Sequence, residues 1–459
     1  MTIPQVTTNA SGQSRSPSYW KWIILALLGY AFLFDNSTSM PLAAGYDWTR
    51  LLELPRQIRF LELLVVTGCV LLLMSKPKAS LISRCLFLGC MCFGFIATLS
   101  YLHNILVPLV DYGRLIYSYV LPILIFIIGR EAPVAPSDRE RIFRFILIWV
   151  MISAIVSWVQ FLILGYGVGD HITGLNKDAH ANGNLLAFIV LLSASFWLVV
   201  RQLRQILVSV FATSTLILSS VLKTNIFLML AVVMLAIISV KREKTSRASD
   251  LIKTMAQRGV VICVLLVGGY FAFMNIDIAN TEKVADAVIL LLENPSDIGP
   301  VSAQLNAIRM VANNPTMILL GMGPFSYGNS VSMGQTLEGG SLQKFVLNIL
   351  MAGAGESGES AGITLTTSLL VELGLIAYII LTISYIAVVI TVWQCIYSKN
   401  RLNRAYASGL MGCLLILLLT ATVTLFGGLD LISVSWPVMF LAGITCRLEA
   451  ENRLGHVIT

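Results

Sequence analysis

The sequence predicts an all-α fold: a polytopic integral membrane protein of about 12 transmembrane helices with one large loop outside the bilayer. Three observations predict it. The 459-residue chain is 57% hydrophobic and only 12% charged, whereas soluble domains carry about a quarter charged residues. Its mean hydropathy of +0.83 is concentrated in repeated apolar runs, many of about 18 residues or more, the length that crosses a bilayer core. Lysine and arginine gather in alternate segments between those runs, as the positive-inside bias requires. Backbone groups in lipid must be satisfied within each segment, so the runs are helices. Period-2 alternation is absent, which argues against a barrel.

Residues 1–19 form a polar, Ser/Thr-rich tail. No short apolar region ends at a small-residue cleavage site, so the first helix reads as a signal anchor. Nine spans fill residues 20–275, over 20–34, 60–74, 85–102, 112–128, 145–164, 185–200, 206–220, 225–240 and 259–275. A link with Arg130, Arg139, Arg141 and Arg144 precedes the fifth span. The most basic link, from Lys241 to Arg258, separates the eighth and ninth. The long polar segment 276–363 follows. Three spans, over 364–393, 406–426 and 429–446, and a tail over 447–459 close the chain.

Placing the N-terminus in the cytoplasm puts 22 of the 31 Lys and Arg on that side. The other side keeps nine: Arg50, Arg56, Arg59, Arg114, Lys177, Lys223, Lys283, Arg309 and Lys344. Both termini are then cytoplasmic. The 276–363 loop faces outward, together with the 165–183 loop and Lys223. The net charge of +7 expresses this bias and does not call for nucleic acid.

Several chemistries lack their residues. No Walker motif and no GxGxxG opening a helix are present, against a nucleotide-driven pump. The four histidines, His103, His171, His180 and His456, are scattered, so no metal site or cofactor is expected. The eight cysteines, Cys69, Cys85, Cys90, Cys92, Cys263, Cys395, Cys413 and Cys446, lie in or beside apolar runs and read as small packing residues.

The candidate site residues are polar groups at membrane depth or in the outward loops. Arg114 lies just inside the fourth span, with Asp111 one turn earlier as an ion-pair partner. Lys223 sits between two spans, where snorkelling to the interface is the plain alternative to function. Charges this close to hydrocarbon are costly and mark functional positions. In the large loop, SAQLNAIRMVANNP suggests a short amphipathic helix around Arg309, ended by Asn313, Asn314 and Pro315. Gly321 and Gly323 follow in a turn. An arginine ahead of close-approach glycines suits a diphosphate or sugar phosphate, because guanidinium grips phosphate oxygens in pairs. Glu356 and Glu359 lie in a Gly-rich stretch and also read as a solvated loop. Glu372 differs, for it lies inside an apolar run, with Gly374 as a close helix contact. In the 165–183 loop, His180 offers a base for a sugar hydroxyl; a loop polar group or helix cap is the competing reading.

These residues, in this order, resemble the O-antigen polymerase and O-antigen ligase superfamily of bacterial inner-membrane proteins. The layout matches: about twelve spans with one large periplasmic loop, containing short helices, before the last three. Gly174 followed by Asn182 and Asn184 resembles the family's entry into its sixth span. The family's Ser-Arg pair between two spans is here Leu222-Lys223, which keeps the charge and loses the arginine fork. Arg309, Pro315, Gly321 and Gly323 resemble the Arg…Pro…Gly-x-Gly pattern of the large loop. SLLVELGLIAY, with Glu372 and Gly374, resembles the opening of the next span. Ligases carry a His nine residues before that Glu; here Ile363 stands there, which favours the polymerase branch.

The resemblance implies a membrane glycosyltransferase that polymerises undecaprenyl-diphosphate-linked oligosaccharide repeat units on the periplasmic face, for O-antigen, capsule or exopolysaccharide. Arg309, Arg114 and Lys223 would stabilise the departing diphosphate. Gly321, Gly323, Asn184 and Glu372 would bind or order substrate, and His180 or Glu356 would act as base. The implied partners are the lipid-linked glycan, the bilayer, a chain-length regulator and a flippase. The alternatives are a ligase acting on another acceptor and a transporter or flippase of lipid-linked sugars. The chain shows no half-to-half repeat of the kind transporters carry.

Overall fold

A computed structural model describes residues 19–34, 58–76, 79–103, 109–165, 172–176, 179–200, 202–218, 308–309, 311–313, 315–321, 365–423 and 432–458. Among these residues the chain is all-helical, with eleven helices. They are α1 (Tyr19–Phe34), α2 (Ile58–Met74), α3 (Leu81–His103), α4 (Leu109–Glu131), α5 (Pro136–Leu162), α6 (Ala179–Val200) and α7 (Leu203–Leu218). After them come α8 (Pro315–Leu320), α9 (Leu365–Ile396), α10 (Arg401–Val423) and α11 (Ile432–Ile458). Five of the described helices, α3, α5, α6, α9 and α10, are long and apolar enough to cross a membrane. The expected spans over 225–240 and 259–275 lie outside the described residues.

Helices α4, α6, α10 and α11 form the inside of the bundle, and α3, α5 and α9 turn one apolar face outward. On α9 that face carries Ile379, Ile383, Ile386 and Ile390, a spacing of three and four that keeps one helix stripe. A soluble protein would not leave such a stripe open, whereas lipid is its natural solvent.

Small residues let the inner helices touch. A Cβ built on Gly443 of α11 would lie 2.3 Å from the Phe126 carbonyl oxygen of α4. One built on Gly129 of α4 would lie 2.6 Å from the Phe440 carbonyl oxygen. The two backbones are therefore in direct contact, the packing that small residues permit in membranes. Gly409 does the same for α10 against Leu192 and Ser195 of α6, and the Ser195 hydroxyl donates to the Ala405 carbonyl at 2.7 Å. The Tyr385 hydroxyl of α9 donates to the Tyr119 carbonyl of α4 at 2.9 Å. Phe32 of α1 stacks on Trp149 of α5 at 5.2 Å.

Two polar layers close the bundle at opposite ends. The end that carries Gly321 is called the loop end here, and the other the basal end. At the basal end Glu131 is a hub. Its Oε1 accepts from the Ser80 hydroxyl at 2.6 Å and the Ser83 hydroxyl at 2.5 Å, while Arg447 donates to its backbone carbonyl at 2.9 Å. Those bonds tie α3, α4 and α11 together. Beside them Arg139 is 1% exposed. Its guanidinium lies 4.1 Å from the Tyr406 ring centre and donates to Asn403 Oδ1 at 2.8 Å. Asn403 in turn donates to Glu449 Oε2 at 3.4 Å, and Arg453 donates to Glu449 Oε1 at 3.0 Å. Ser398 also donates to Glu449.

This layer corrects two expectations. The stretch with Arg139, Arg141 and Arg144 is not a link, because α5 begins at Pro136 and Arg139 is inside the bundle. Pro136 at the first turn is favourable, since its missing N–H would have no helical partner there. Helix α11 likewise runs on through Arg447 and Arg453 to Ile458, where a tail was expected.

Candidate functional site

The loop end brings together two glycines that lie far apart in sequence. Residues 308–309 and 311–312 are helical, and the Asn313 N–H donates to the Arg309 carbonyl at 3.0 Å. A second short helix, α8, then starts at Pro315. The short helix around Arg309 ends at Asn313, in line with the sequence, and Pro315 opens the next one. Its ring fixes φ near the helical value and costs no hydrogen bond at the first position. Gly321 ends α8 with φ +67°, the left-handed value that favours glycine after a helix C-terminus.

Gly321 rests on α9. A Cβ added to it would meet the Glu372 carbonyl oxygen at 2.4 Å, the Glu372 carbonyl carbon at 2.5 Å and the Gly374 nitrogen at 2.7 Å. Only a residue without a side chain fits against that backbone. The seat itself is unusual. Gly374 has φ 85° and ψ 170°, so α9 is two helices joined across a break. The break interrupts the helical hydrogen-bond ladder, and the Ser100 hydroxyl of α3 donates to the Glu372 carbonyl at 3.0 Å. Glu372 is fully buried, flanked by the buried Val371 and Leu373. A carboxyl group at such a position is expensive to bury.

Arg309 stands upstream of this seat and is exposed. Among the described residues it forms no ion pair with Glu372. Its guanidinium is thus presented to solvent at the same end of the bundle where Gly321 contacts α9.

A second loop-end cluster surrounds Gly174, whose φ is +60°. A Cβ there would collide with Ser153 Oγ at 2.4 Å and Asn182 Oδ1 at 2.7 Å. Ser153 of α5 donates to Asn182 Oδ1 at 3.0 Å and accepts from the Leu175 N–H at 2.9 Å and from Asn176 Nδ2 at 3.0 Å. The Asn182 amide also donates to the Ser157 hydroxyl at 3.0 Å. Gln160 accepts from the Gly174 N–H at 2.9 Å. The side chains of Ser153, Ser157, Gln160, Asn176 and Asn182 are buried and bond mainly to one another, as buried polar groups require; Asn176 Oδ1 alone in this cluster finds no partner among the described residues. The cluster pins the loop before α6 and leaves Gly174 and Asn182 in an anchoring role. Asn184, two residues further into α6 than Asn182, is buried beside a water-sized cavity lined by Phe188, Cys413, Ile416 and Val438.

The remaining expected site residues fall as follows. Arg114 lies on α4 and His180 on α6. Lys223, Gly323 and Glu356 lie outside the described residues. The fold therefore unites Gly321, Glu372 and Gly374, while Asn184 lines the interior between α6, α10 and α11. Sequence reading missed Ser100. The signal that could have found it is a lone serine near the end of an apolar run, a residue type that bonds backbone carbonyls across membrane helices.

These features define an all-helical protein suited to a membrane, with a loop glycine seated on a broken helix beside a buried carboxyl group. No family model matches the chain, and no curated protein matches it.

Proposed function

We propose that the chain is a bacterial inner-membrane glycosyltransferase with twelve spans, both termini cytoplasmic and a periplasmic loop over 276–363, which polymerises glycan repeat units carried on undecaprenyl diphosphate. The observation that carries this reading is the seating of Gly321 on the Glu372–Gly374 break. It joins the two motifs, Arg309…Gly321 and Glu372-x-Gly374, on which the resemblance to O-antigen polymerases rests.

In the reaction, a hydroxyl of one lipid-linked unit attacks the anomeric carbon of another. A new glycosidic C–O bond forms and the C–O bond to the diphosphate breaks. The hydroxyl proton passes to a base, for which His180 and Glu356 are the candidates, and the diphosphate leaves as an anion. Exposed Arg309 supplies the charge that a departing diphosphate needs; Arg114 and Lys223 would add to it. A second reading draws on one observation: a break within a membrane-length helix is also how transporters build substrate sites.

The test is glycan length in cells whose only polymerase candidate is this protein, with Arg309→Ala and membrane protein level followed together. Polymerisation predicts loss of long glycan while single repeat units still reach their outer acceptor. Loss of single units as well would favour export or ligation. Unchanged long glycan would remove Arg309 from the mechanism.

A further inference from the structure

At the basal end, Cys395 and Cys446 face each other across α9 and α11 with their sulfurs 3.5 Å apart. Sequence spacing had not paired them, for they lie 51 residues apart. Both are buried, at 4% and 3% exposure. Cys395 is the penultimate residue of α9, and Tyr397 just beyond it is 51% exposed. The pair thus sits one step below an open surface. Cys395 also reaches the Thr391 carbonyl of its own helix at 3.3 Å, whereas the Cys413 thiol meets only carbonyls, those of Gly409 at 3.0 Å and Phe188 at 3.8 Å.

We propose that Cys395 and Cys446 form a peroxide-oxidisable dithiol, a modification site that locks α9 to α11 when it closes. Two sulfurs already in contact need approach each other by only about 1.5 Å to reach disulfide length. The two helices are held in register by bonds just beyond the pair, towards the C-terminus of α11. Ser398 and Arg453 both donate to Glu449, and Arg453 also donates to the Gln394 carbonyl at 2.9 Å. The approach therefore costs side-chain rotation and little backbone movement. In the reaction, one sulfur attacks the O–O bond of hydrogen peroxide and becomes a sulfenic acid with release of one water. The second sulfur then attacks that sulfenic sulfur, its proton leaves with the hydroxyl as a second water, and the S–S bond forms. Two thiols are oxidised and one peroxide is reduced. A thiol reductant reverses the change.

The experiment uses the full chain in its native membrane. Membranes are treated with hydrogen peroxide and quenched, free thiols are alkylated in denaturant, and the protein is analysed by mass spectrometry. The expected result is two fewer alkylated cysteines, a linked peptide pair containing Cys395 and Cys446, and full recovery after dithiothreitol. Cys413→Ser should leave this result unchanged, and Cys395→Ser should abolish the linked pair. The oxidised wild type should also melt several degrees higher than the reduced form, because the bond closes a long loop. Full alkylation of both residues after peroxide would overturn the proposal, as would sulfinic acid at Cys395 without a linked peptide.

Discussion

Replacing Gly321 by alanine isolates the energy that seats the loop on α9. Two costs are expected. An L-residue at φ +67° loses about 1–2 kcal/mol relative to glycine. The added methyl would also stand 2.4 Å from the Glu372 carbonyl oxygen and 2.7 Å from the Gly374 nitrogen. Those are backbone atoms that cannot rotate aside, and overpacking of this kind costs about 1–3 kcal/mol. Gly165 provides the control. Its φ is +69°, and a Cβ there would meet nothing within 4 Å, so Gly165→Ala incurs the first cost alone. The crowding cost alone, about 1–3 kcal/mol, corresponds to a roughly 5- to 150-fold larger opening constant for the seat. Hydrogen exchange on purified protein reads it directly, in peptides covering 311–321 and 369–376. Gly321→Ala should speed exchange in both peptides together, and Gly165→Ala in neither. If the two variants exchange alike at the seat, the contact carries no energy and the argument from crowding is wrong.

Three further outcomes are expected. Arg139→Ala removes a buried guanidinium stacked on Tyr406 and bonded to Asn403, and should cost about 2–4 kcal/mol; Arg139→Lys should recover only part of the lost melting temperature in detergent, since lysine keeps the charge and loses the planar stack. Ser153→Ala strips the Leu175 N–H, Asn176 and Asn182 of a common partner, and should destabilise by about 1–3 kcal/mol, with faster exchange confined to 172–176 and the start of α6. Gly443→Leu should prevent close packing of α11 on α4, because even a methyl would lie 2.3 Å from the Phe126 carbonyl oxygen; the readout is loss of monodisperse protein on size-exclusion chromatography, while Gly94→Ala, where a Cβ meets nothing within 4 Å, should leave the profile intact.

Hydropathy located the described helices, because apolar length is a property of the local sequence. It misjudged their ends wherever charge is buried. Arg139 read as part of a link since an arginine is expected in water, yet an aromatic face and a side-chain amide hold it inside. Glu131 gave no signal at all, for its partners Ser80 and Ser83 lie 51 and 48 residues away. At the candidate site, Glu372 was legible as a carboxyl group in an apolar run and Gly321 as a turn. Their contact was not legible, because nothing in either segment specifies the other. Asn182 stood out in sequence, but only the structure reveals that its amide holds the loop before α6 in place.

The break at Gly374 has a consequence for depth. Unbroken, the 32 residues of α9 would make a rod of about 48 Å, far longer than a hydrocarbon core of roughly 30 Å. The stretch after the break, about 22 residues, measures about 33 Å and spans such a core with slight tilt. With that stretch filling the core, Gly374 would stand where α9 leaves the acyl chains. Glu372 and the Gly321 seat would share that height. A lipid-linked substrate of the kind proposed above would then reach the seat by moving sideways within the leaflet.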